Sequence, residues 1–264
     1  MNTEKVISDL QKVRENAPLV HNITNYVVMN STANALLSLG ASPVMAHAVE
    51  EVEEMASIAS ALVLNIGTLS EKWIEAMFKA GKQAKEKGVP VILDPVGAGA
   101  TTLRTETAKK IIDDVQPDIV RGNASEILAL LKADAQTKGV DSSASSDDAL
   151  EIAKELASTK NCIVSISGKT DYITDGKSVI SIGNGDAMLS KVTGTGCAAT
   201  ALTGAFAGGN KNFVEAATGA MVVMGIAGEM ARKNADAPGT FQVKFLDALY
   251  QISDEDIKTK ARIA

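Results

Sequence analysis

The chain has 264 residues and a net charge of −6, with 45% hydrophobic and 22% charged residues. This balance is typical of a globular protein with a full hydrophobic core, and the acidic charge argues against the basic surface of nucleic-acid-binding proteins. The two cysteines, Cys162 and Cys197, form no disulfide framework, and no signal peptide or membrane span is predicted, so we expect a soluble cytoplasmic protein.

The chain opens with a predicted helix, in which Val6, Ile7, Leu10 and Val13 recur at helical spacing. Short apolar runs follow it. Most of them lack polar–apolar alternation, which is typical of strands buried on both faces. We predict six such strands, at residues 19–23, 43–46, 62–66, 89–93, 118–121 and 162–166.

Helical patterns separate these strands, and one has a recognisable start and end. Thr68 and Glu71 have the spacing of a capping box, and Gly88 ends the pattern. Strand–helix alternation predicts parallel pairing and an α/β sheet flanked by helices on both faces. Ligands of such sheets bind at the carboxyl ends of the strands. No repeat or linker is evident, so we predict a single domain over residues 1–264.

The later part of the chain departs from this alternation. Two β-type runs, at 172–174 and 178–182, flank Asp175-Gly176, which is a strong hairpin signal. From Val192 onward the sequence is helical and rich in Ala, Gly and Met. The central sheet is therefore expected to be mostly parallel.

Residues 16–49 contain no Asp, Glu, Lys or Arg but include five asparagines. A surface segment of this length normally carries charge, so we expect burial within the chain or against another subunit, with the polar side chains hydrogen-bonded. A core segment with caps and turns explains this composition. The wall of a pocket for a small, uncharged, partly polar ligand explains it equally.

The sequence Thr193-Gly-Thr-Gly-Cys197 opens a run of good helix formers. Its glycines allow close backbone approach to a ligand, and the free N–H groups of a first helical turn can hold phosphate oxygens. A helix cap by Thr193 or Thr195 is the alternative. Gly-x-Gly-x-x-Ala also matches a dinucleotide fingerprint, but the residues before it make a poor strand, so we discount NAD.

Cys197 is predicted in the first turn of that helix, where the helix dipole lowers a thiol pKa. A nucleophilic cysteine needs a base partner, and the sequence places neither His21 nor His47 beside it. We therefore expect a phosphate-site residue with a modest acid–base role, or a small buried residue that closes the turn. Cys162, within an apolar run, is expected in the core.

Three further motifs lie at the ends of predicted strands. Asp94 precedes proline and glycines, and it either starts a turn or reaches Mg²⁺ through water. Asn123 and Glu126 have the spacing of a reciprocal helix cap; alternatively, Glu126 organises nucleotide-bound magnesium, with Arg121 near the phosphates. The segment at 165–170 lacks the first glycine of a P-loop, which excludes P-loop chemistry, although its hydroxyls and amides can line a nucleotide site.

These motifs occur in order along one α/β chain: Asp94-Pro-Val-Gly-Ala-Gly, Asn123-x-x-Glu126, Ser167-Gly-Lys-Thr-Asp-Tyr-Ile-Thr-Asp-Gly176 and Gly194-Thr-Gly-Cys197. Their combination resembles the ribokinase-like superfamily of small-molecule kinases and, within it, the hydroxyethylthiazole kinase family of thiamine salvage. The opening His21-Asn-Ile-Thr-Asn25-Tyr-Val and the late Pro238-Gly-Thr-Phe-Gln resemble that family as well, so the resemblance covers nearly the whole chain.

The resemblance implies ATP- and Mg²⁺-dependent phosphorylation of 4-methyl-5-(2-hydroxyethyl)thiazole, in a homotrimer with active sites between subunits. Most relatives in the superfamily carry an aspartate base at the position of Cys197, whereas cysteine is usual in the thiazole kinases. The site residues that it implies are Cys197 for catalysis, Gly194, Thr195, Gly196 and Cys197 for the anion hole, Met45, Asn25 and Gly194 for the thiazole, Arg121, Ser167 and Gly168 for ATP, and Asp94 and Glu126 for the metal.

Alternatives stay open from the sequence. A hydroxymethylpyrimidine kinase or a nucleotide-hydrate repair dehydratase would share the scaffold. A nucleotide-binding regulatory module without catalysis is disfavoured, because a pure binder needs no magnesium-organising acids. Each motif can also be explained separately as a cap or a turn, but that explanation does not account for their shared order.

Overall fold

The computed structural model describes residues 2–131 and 145–264. The strands in this part of the chain are β1 (Leu19–Ile23), β2 (Ser42–Val44), β3 (Ala61–Asn65), β4 (Val91–Asp94), β5 (Ile119–Asn123), β6 (Ile163–Ser167), β7 (Asp171–Thr174) and β8 (Val179–Ile182). The helices are α1 (Thr3–Asn16), α2 (Met29–Leu39), α3 (Val52–Ile58), α4 (Glu71–Glu86), α5 (Thr102–Asp114), α6 (Ala124–Leu131), α7 (Ser146–Lys160), α8 (Thr195–Gly209), α9 (Phe213–Arg232), α10 (Pro238–Gln251) and α11 (Asp254–Lys260). A short 3-10 helix, Ala187–Lys191, precedes α8.

The strands form one sheet in the order β2-β1-β3-β4-β5-β6-β7-β8. Pairing is parallel from β2 through β6, and the last two pairs, β6 with β7 and β7 with β8, are antiparallel. The register places Asn65 opposite Asp94 and Asn123 opposite Ser167. The carboxyl ends of β3 to β6 therefore meet at one edge, as expected for a mostly parallel sheet.

All eight predicted strands are confirmed, with ends displaced by no more than two residues. The predicted cap of α4 is wrong, because the side chain of Ser70, not Thr68, accepts the hydrogen bond from Trp73 N. Residues 66–70 carry the chain away from the sheet, which moves the start of the helix past Thr68. The helix ends at Glu86, and Gly88 follows with a φ of 69°, as the sequence predicts.

Helices cover both faces of the sheet. One buried cluster joins the sheet to α1, α2, α8, α9, α10 and α11, and the other joins it to α3 through α7. In the part of the chain that the structure describes, α9 alone is long and apolar enough to cross a membrane, and its most apolar stretch is 72% buried inside the protein. Thus α9 is a core helix, which fits its position between α8 and α10.

The uncharged segment, residues 16–49, is only partly buried within this chain. His21, Asn22, Thr24 and Asn25 are 4% exposed or less, as predicted. In contrast, the segment includes the exposed side chains of Tyr26, Val27 and Leu37. Neighbouring elements of the chain thus cover β1 and leave part of the following loop and of α2 open.

The two edges of the sheet differ in how they end. β2 is three residues long. The outer edge of β8 is bonded to the end of the chain, since Ile182 bridges Ile263 and the backbones of Ser181 and Ala264 exchange hydrogen bonds of 2.8 and 2.9 Å.

Candidate active site

The first turn of α8 lies at the carboxyl edge of the sheet. Gly194 is its N-cap, with a φ of 85°, and Ala198 N donates to Gly194 O at 2.8 Å. The N–H groups of residues 195–197 precede that first intrahelical bond, so they are available to a ligand, as the anion-hole prediction requires. The alternative cap by a threonine is wrong, because Thr195 Oγ1 instead donates to Leu189 O at 2.8 Å.

Two cavities meet at this turn. Cavity A, of about 500 Å³, lies beside the β6–β7 turn and α9; cavity B, of about 580 Å³, lies beside the ends of β3 and β4. Both are lined by Arg121, Ser167, Ser190, Thr195 and Gly196. A group held in one cavity can therefore face a group held in the other across a shared wall.

Arg121 ties β5 to the first turn of α8. Its guanidinium is buried, and Nη1 donates to Gly196 O at 2.9 Å. A side chain at Gly196 would place Cβ 3.2 Å from that nitrogen. Arg121 Nε has no hydrogen-bond partner within the described chain, so this buried cation retains donor capacity toward a ligand.

Asp94 ends β4 and is 2% exposed. Its Oδ2 accepts hydrogen bonds from Asn65 Nδ2 and Thr200 Oγ1, both at 2.8 Å. Burial raises the pKa of Asp94, and the nearby Arg121 opposes that rise. The carboxyl group is thus fixed in orientation on the wall of cavity B.

Glu126 begins α6 close to Asp94. Its two carboxylate oxygens accept from Gly97 N and Asn123 N, both at 2.9 Å, and Glu126 N donates to Asn123 Oδ1 at 3.0 Å. The reciprocal cap is therefore confirmed, and the same carboxylate lines cavity B. Burial, and then the negative charge of Asp94, raise the pKa of Glu126.

These two acids suit a magnesium ion. Mg²⁺ is usually held by one or two carboxylates, with phosphate oxygens and waters completing its shell. Asp94 and Glu126 line the same cavity, and burial raises the pKa of each carboxyl because it disfavours the charged form. A bound cation would offset that effect. The described residues contain no cluster of three or more His, Cys, Asp or Glu, so phosphate oxygens and waters would supply the other ligands of a metal held here.

Asn65 connects Asp94 to Cys197 and was not singled out in the sequence. Besides donating to Asp94, it accepts through Oδ1 from Asn25 Nδ2 at 2.9 Å and from Gly67 N at 3.0 Å. Asn25 Nδ2 also lies 3.6 Å from Cys197 Sγ. A hydrogen-bonded path therefore runs from the anion hole to the buried carboxylate.

The pKa of Cys197 is raised to about 12, chiefly by burial and then by the charge of Asp94. The prediction that the helix dipole lowers this pKa is wrong, because desolvation of the half-buried thiol and the nearby negative charge of Asp94 act in the opposite direction. Cys197 is therefore a neutral thiol at neutral pH. Cys162 is buried in the core, as expected.

Cavity A contains the other predicted nucleotide residues. Ser167 and Gly168 line it where β6 ends, and Gly168 N donates to Asp171 Oδ1 at 2.9 Å. Burial raises the pKa of Asp171 to about 6. Met221 and Met224 of α9 supply an apolar floor.

Met45 lies apart from the other predicted site residues, whereas Arg104, which the sequence did not single out, lies among them. Met45 follows β2 at the edge of the sheet and lines neither cavity. Arg104 lines cavity B and donates to Val96 O at 2.7 Å and to Gly67 O at 2.8 Å. It joins the loops that follow β3 and β4, a contact for which the sequence offers no local signal.

Solved structures show where this fold occurs. The pyridoxal kinase of Staphylococcus aureus in complex with pyridoxal superposes with a TM-score of 0.62 at 18% identity, covering 80% of this chain and 88% of that one. At this identity the likeness shows the fold alone; together with the structure described next, it confirms the predicted ribokinase-like fold class. A structure of hydroxyethylthiazole kinase from Pyrococcus horikoshii superposes with a TM-score of 0.92 at 45% identity, covering 99% of this chain and 98% of that one.

Sequence comparison identifies the same family as the second of these structures. The model of the hydroxyethylthiazole kinase family matches residues 10–255. A protein of Leptospira biflexa named hydroxyethylthiazole kinase is 57% identical over 257 residues, which make up 97% of this chain and 96% of that relative. The chain belongs to the hydroxyethylthiazole kinase family.

Proposed function

We propose that this protein is a kinase that transfers the γ-phosphoryl group of ATP to the hydroxyl of 4-methyl-5-(2-hydroxyethyl)thiazole, in thiamine salvage. Family membership over nearly the whole chain supports the activity and the acceptor. The structural observation that carries the proposal is the meeting of two cavities at Arg121 and the first turn of α8. Phosphoryl transfer needs a donor and an acceptor on either side of such a point.

Cavity A is the proposed nucleotide site. Arg121 and Ser167 stand at its junction with cavity B, where the phosphates of ATP would lie, and Gly168 is beside them. The apolar floor formed by Met221 and Met224 suits a nucleobase. The net charge of −6 gives no general attraction for ATP, so binding depends on this local cation and on the helix amides.

Cavity B is the proposed acceptor site. Asn25 and Gly194 line it, as expected for thiazole contacts. Val27 and Val28 add apolar surface. A Cβ at Gly194 would lie 2.8 Å from Val28 Cγ1, so the backbone itself forms the wall there.

Asp94 and Glu126 are the proposed holders of Mg²⁺. When bound, Mg²⁺ would neutralise charge on the phosphate oxygens. The chain supplies the remaining positive field through Arg121 and the amides of residues 195–197. Asn65 and Thr200 keep Asp94 turned toward the cavity.

Cys197 is proposed to relay the hydroxyl proton rather than to act as a thiolate base: its sulfur would accept that proton late in the reaction while its own S–H proton passes to an oxygen of the transferred phosphoryl group. Its thiol is neutral because its pKa is raised to about 12. Phosphoryl transfer passes through a loose transition state, in which early deprotonation of the alcohol matters little. Cys197→Ala should therefore retain more activity than omission of magnesium. Equal loss in both cases would contradict this modest role.

The test of the proposed function is ADP formation from Mg-ATP with the thiazole alcohol, beside a reaction without acceptor and one with a hydroxymethylpyrimidine. Turnover with the thiazole alone is expected. Turnover with the pyrimidine alone would overturn the acceptor and keep the kinase chemistry. Absence of turnover with both would overturn the proposed function.

We also propose a homotrimer with active sites between subunits. Exposed apolar side chains in the uncharged segment, Tyr26, Val27 and Leu37, support a subunit contact. Met45 lines neither cavity of its own chain, which supports a contribution of Met45 to a neighbouring subunit's site. Sedimentation equilibrium tests the trimer. Mixing inactive Met45→Lys and Asp94→Asn proteins tests site sharing, since recovered activity requires sites formed by two chains.

A single domain over residues 1–264 and a cytoplasmic location complete the proposal. The continuous sheet and the burial of α9 support them. One cooperative unfolding transition in urea is expected for a single domain.

A further inference from the structure

One wall of cavity A is built by residues that none of the proposed catalytic roles explains. Asn184 and Gly185 follow β8 and line the cavity, and the 3-10 helix that continues from them leads to Gly194. Asn184 is 5% exposed. Its position is fixed from outside the active site, by Glu229 of α9 and by the residues that follow α11.

Glu229 and Arg262 form the centre of this arrangement. The two side chains make an ion pair, and Arg262 Nε also donates to Gly183 O at 3.0 Å. Glu229 Oε1 accepts from Gly185 N at 2.8 Å and from Asn184 Nδ2 at 3.2 Å. One carboxylate and one guanidinium thus bind three consecutive residues, of which Asn184 and Gly185 belong to the wall.

The backbone after α11 completes the attachment. Arg262 N donates to Asn184 Oδ1 at 2.8 Å, and Asn184 Nδ2 donates to Lys260 O at 2.8 Å. On the other side, a side chain at Gly225 of α9 would place Cβ 2.6 Å from Asn184 Cβ. The side chain of Asn184 is therefore held on both polar atoms and packed directly against a helix backbone.

We propose that Glu229 and Arg262 are positioning residues for nucleotide binding, an inference that rests on the proposed placement of ATP in cavity A. Gly183 and Gly185 flank Asn184 and give the free backbone wide conformational freedom. We call the Glu229–Arg262 ion pair, with its hydrogen bonds to residues 183–185, the clamp. Without the clamp, part of the free energy of ATP binding is spent on ordering residues 183–185, so affinity falls although no direct contact is removed. The clamp touches residues of cavity A but none that line cavity B alone, so acceptor binding should change little.

The experiment compares Arg262→Ala and Glu229→Gln with wild type and with Lys260→Ala. The control removes the ion pair between Lys260 and Asp256 in the same segment and keeps the Lys260 carbonyl. Calorimetric titration with Mg-ADP and steady-state kinetics are measured for each protein. For the two clamp variants we expect the Kd for Mg-ADP and the KM for ATP to rise about tenfold, with the thiazole KM and the control protein near wild type.

Amide hydrogen exchange gives a readout that needs no nucleotide. Gly185 N–H should exchange faster in both variants than in wild type, because each loses the ion pair that fixes the side-chain oxygen of residue 229, its acceptor. Unchanged Mg-ADP affinity in folded variants, or an equal rise in both KM values, would overturn the inference. A wild-type protein that bound no Mg-ADP would overturn the proposed function and this inference together, whereas normal wild-type binding with unaffected variants would overturn the inference alone.

Discussion

Replacing Gly194 with alanine should disturb the active site and the stability of the protein together. The residue caps α8 with a φ of 85°, a conformation that costs other L residues about 1–2 kcal/mol. The added Cβ would also lie 2.8 Å from Val28 Cγ1 and 3.1 Å from Ser31 Oγ. Relief of such overpacking typically costs about 1–3 kcal/mol.

Alanine also lowers the conformational entropy of the unfolded chain relative to glycine, which stabilises the folded protein by about 0.4–1 kcal/mol. The expected net loss in free energy of unfolding is therefore about 1–5 kcal/mol. Relief of the clash must move either the loop that carries Val28 or the first turn of α8. A displacement of about 1 Å at the reacting groups can cost about a hundredfold in rate, so we expect kcat/KM for the thiazole to fall by at least tenfold.

Urea unfolding and steady-state kinetics test this prediction, with Gly209→Ala as the matched control. Gly209 ends the same helix, and a Cβ added there would have no heavy atom within 4 Å. The control should be neutral or more stable by up to about 1 kcal/mol. If Gly194→Ala matched the control in both stability and kcat/KM, the argument from backbone conformation and close approach would be refuted.

Three further outcomes are expected. Asn65→Leu should lower the free energy of unfolding by about 2–4 kcal/mol in urea titrations, because it removes one of the two hydrogen bonds to Asp94 and the acceptor of Asn25 Nδ2 and Gly67 N; an unchanged midpoint would contradict this. Cys162 and Cys197 should react slowly with a disulfide reagent at pH 8 and rapidly in denaturant, because burial raises both pKa values to about 12; fast reaction of the native thiols would contradict the assignment of a neutral Cys197. Asp171 has a folded-state pKa of about 6, above its ordinary 3.8, so its contribution to stability is lost as pH rises between these values. Asp171→Asn should therefore gain up to about 3 kcal/mol relative to wild type between pH 4 and pH 7, and parallel urea stability curves for the two proteins would contradict this.

The strands were predictable because a strand buried on both faces leaves an unbroken apolar run in the sequence. The strand ends were predicted less accurately, because each end depends on where the hydrogen bonds to the neighbouring strand stop. The cap of α4 shows the same limit. Thr68 and Ser70 are both capping residues, and the choice between them depends on how residues 66–70 leave the sheet.

In the candidate site, residues within local motifs were predicted from the sequence, whereas residues joined to the site by long-range contacts were not. Asp94 and Glu126 were found because they stand at a strand end and at a helix start, where sequence motifs are local. Asn65 and Thr200 were missed, since their hydrogen bonds to Asp94 span 29 and 106 residues. The raised pKa of Cys197 likewise depends on burial and on a carboxylate distant in sequence, neither of which a helix-start motif contains.

The attachment of residues 262–264 to β8 also bears on solubility. An open sheet edge presents unpaired N–H and C=O groups that can template association with another chain. β2 is short, and β8 is bonded along its outer side to Arg262, Ile263 and Ala264. Loss of these few residues would expose the backbone edge of β8, and we expect the truncated protein to aggregate more readily than the full chain.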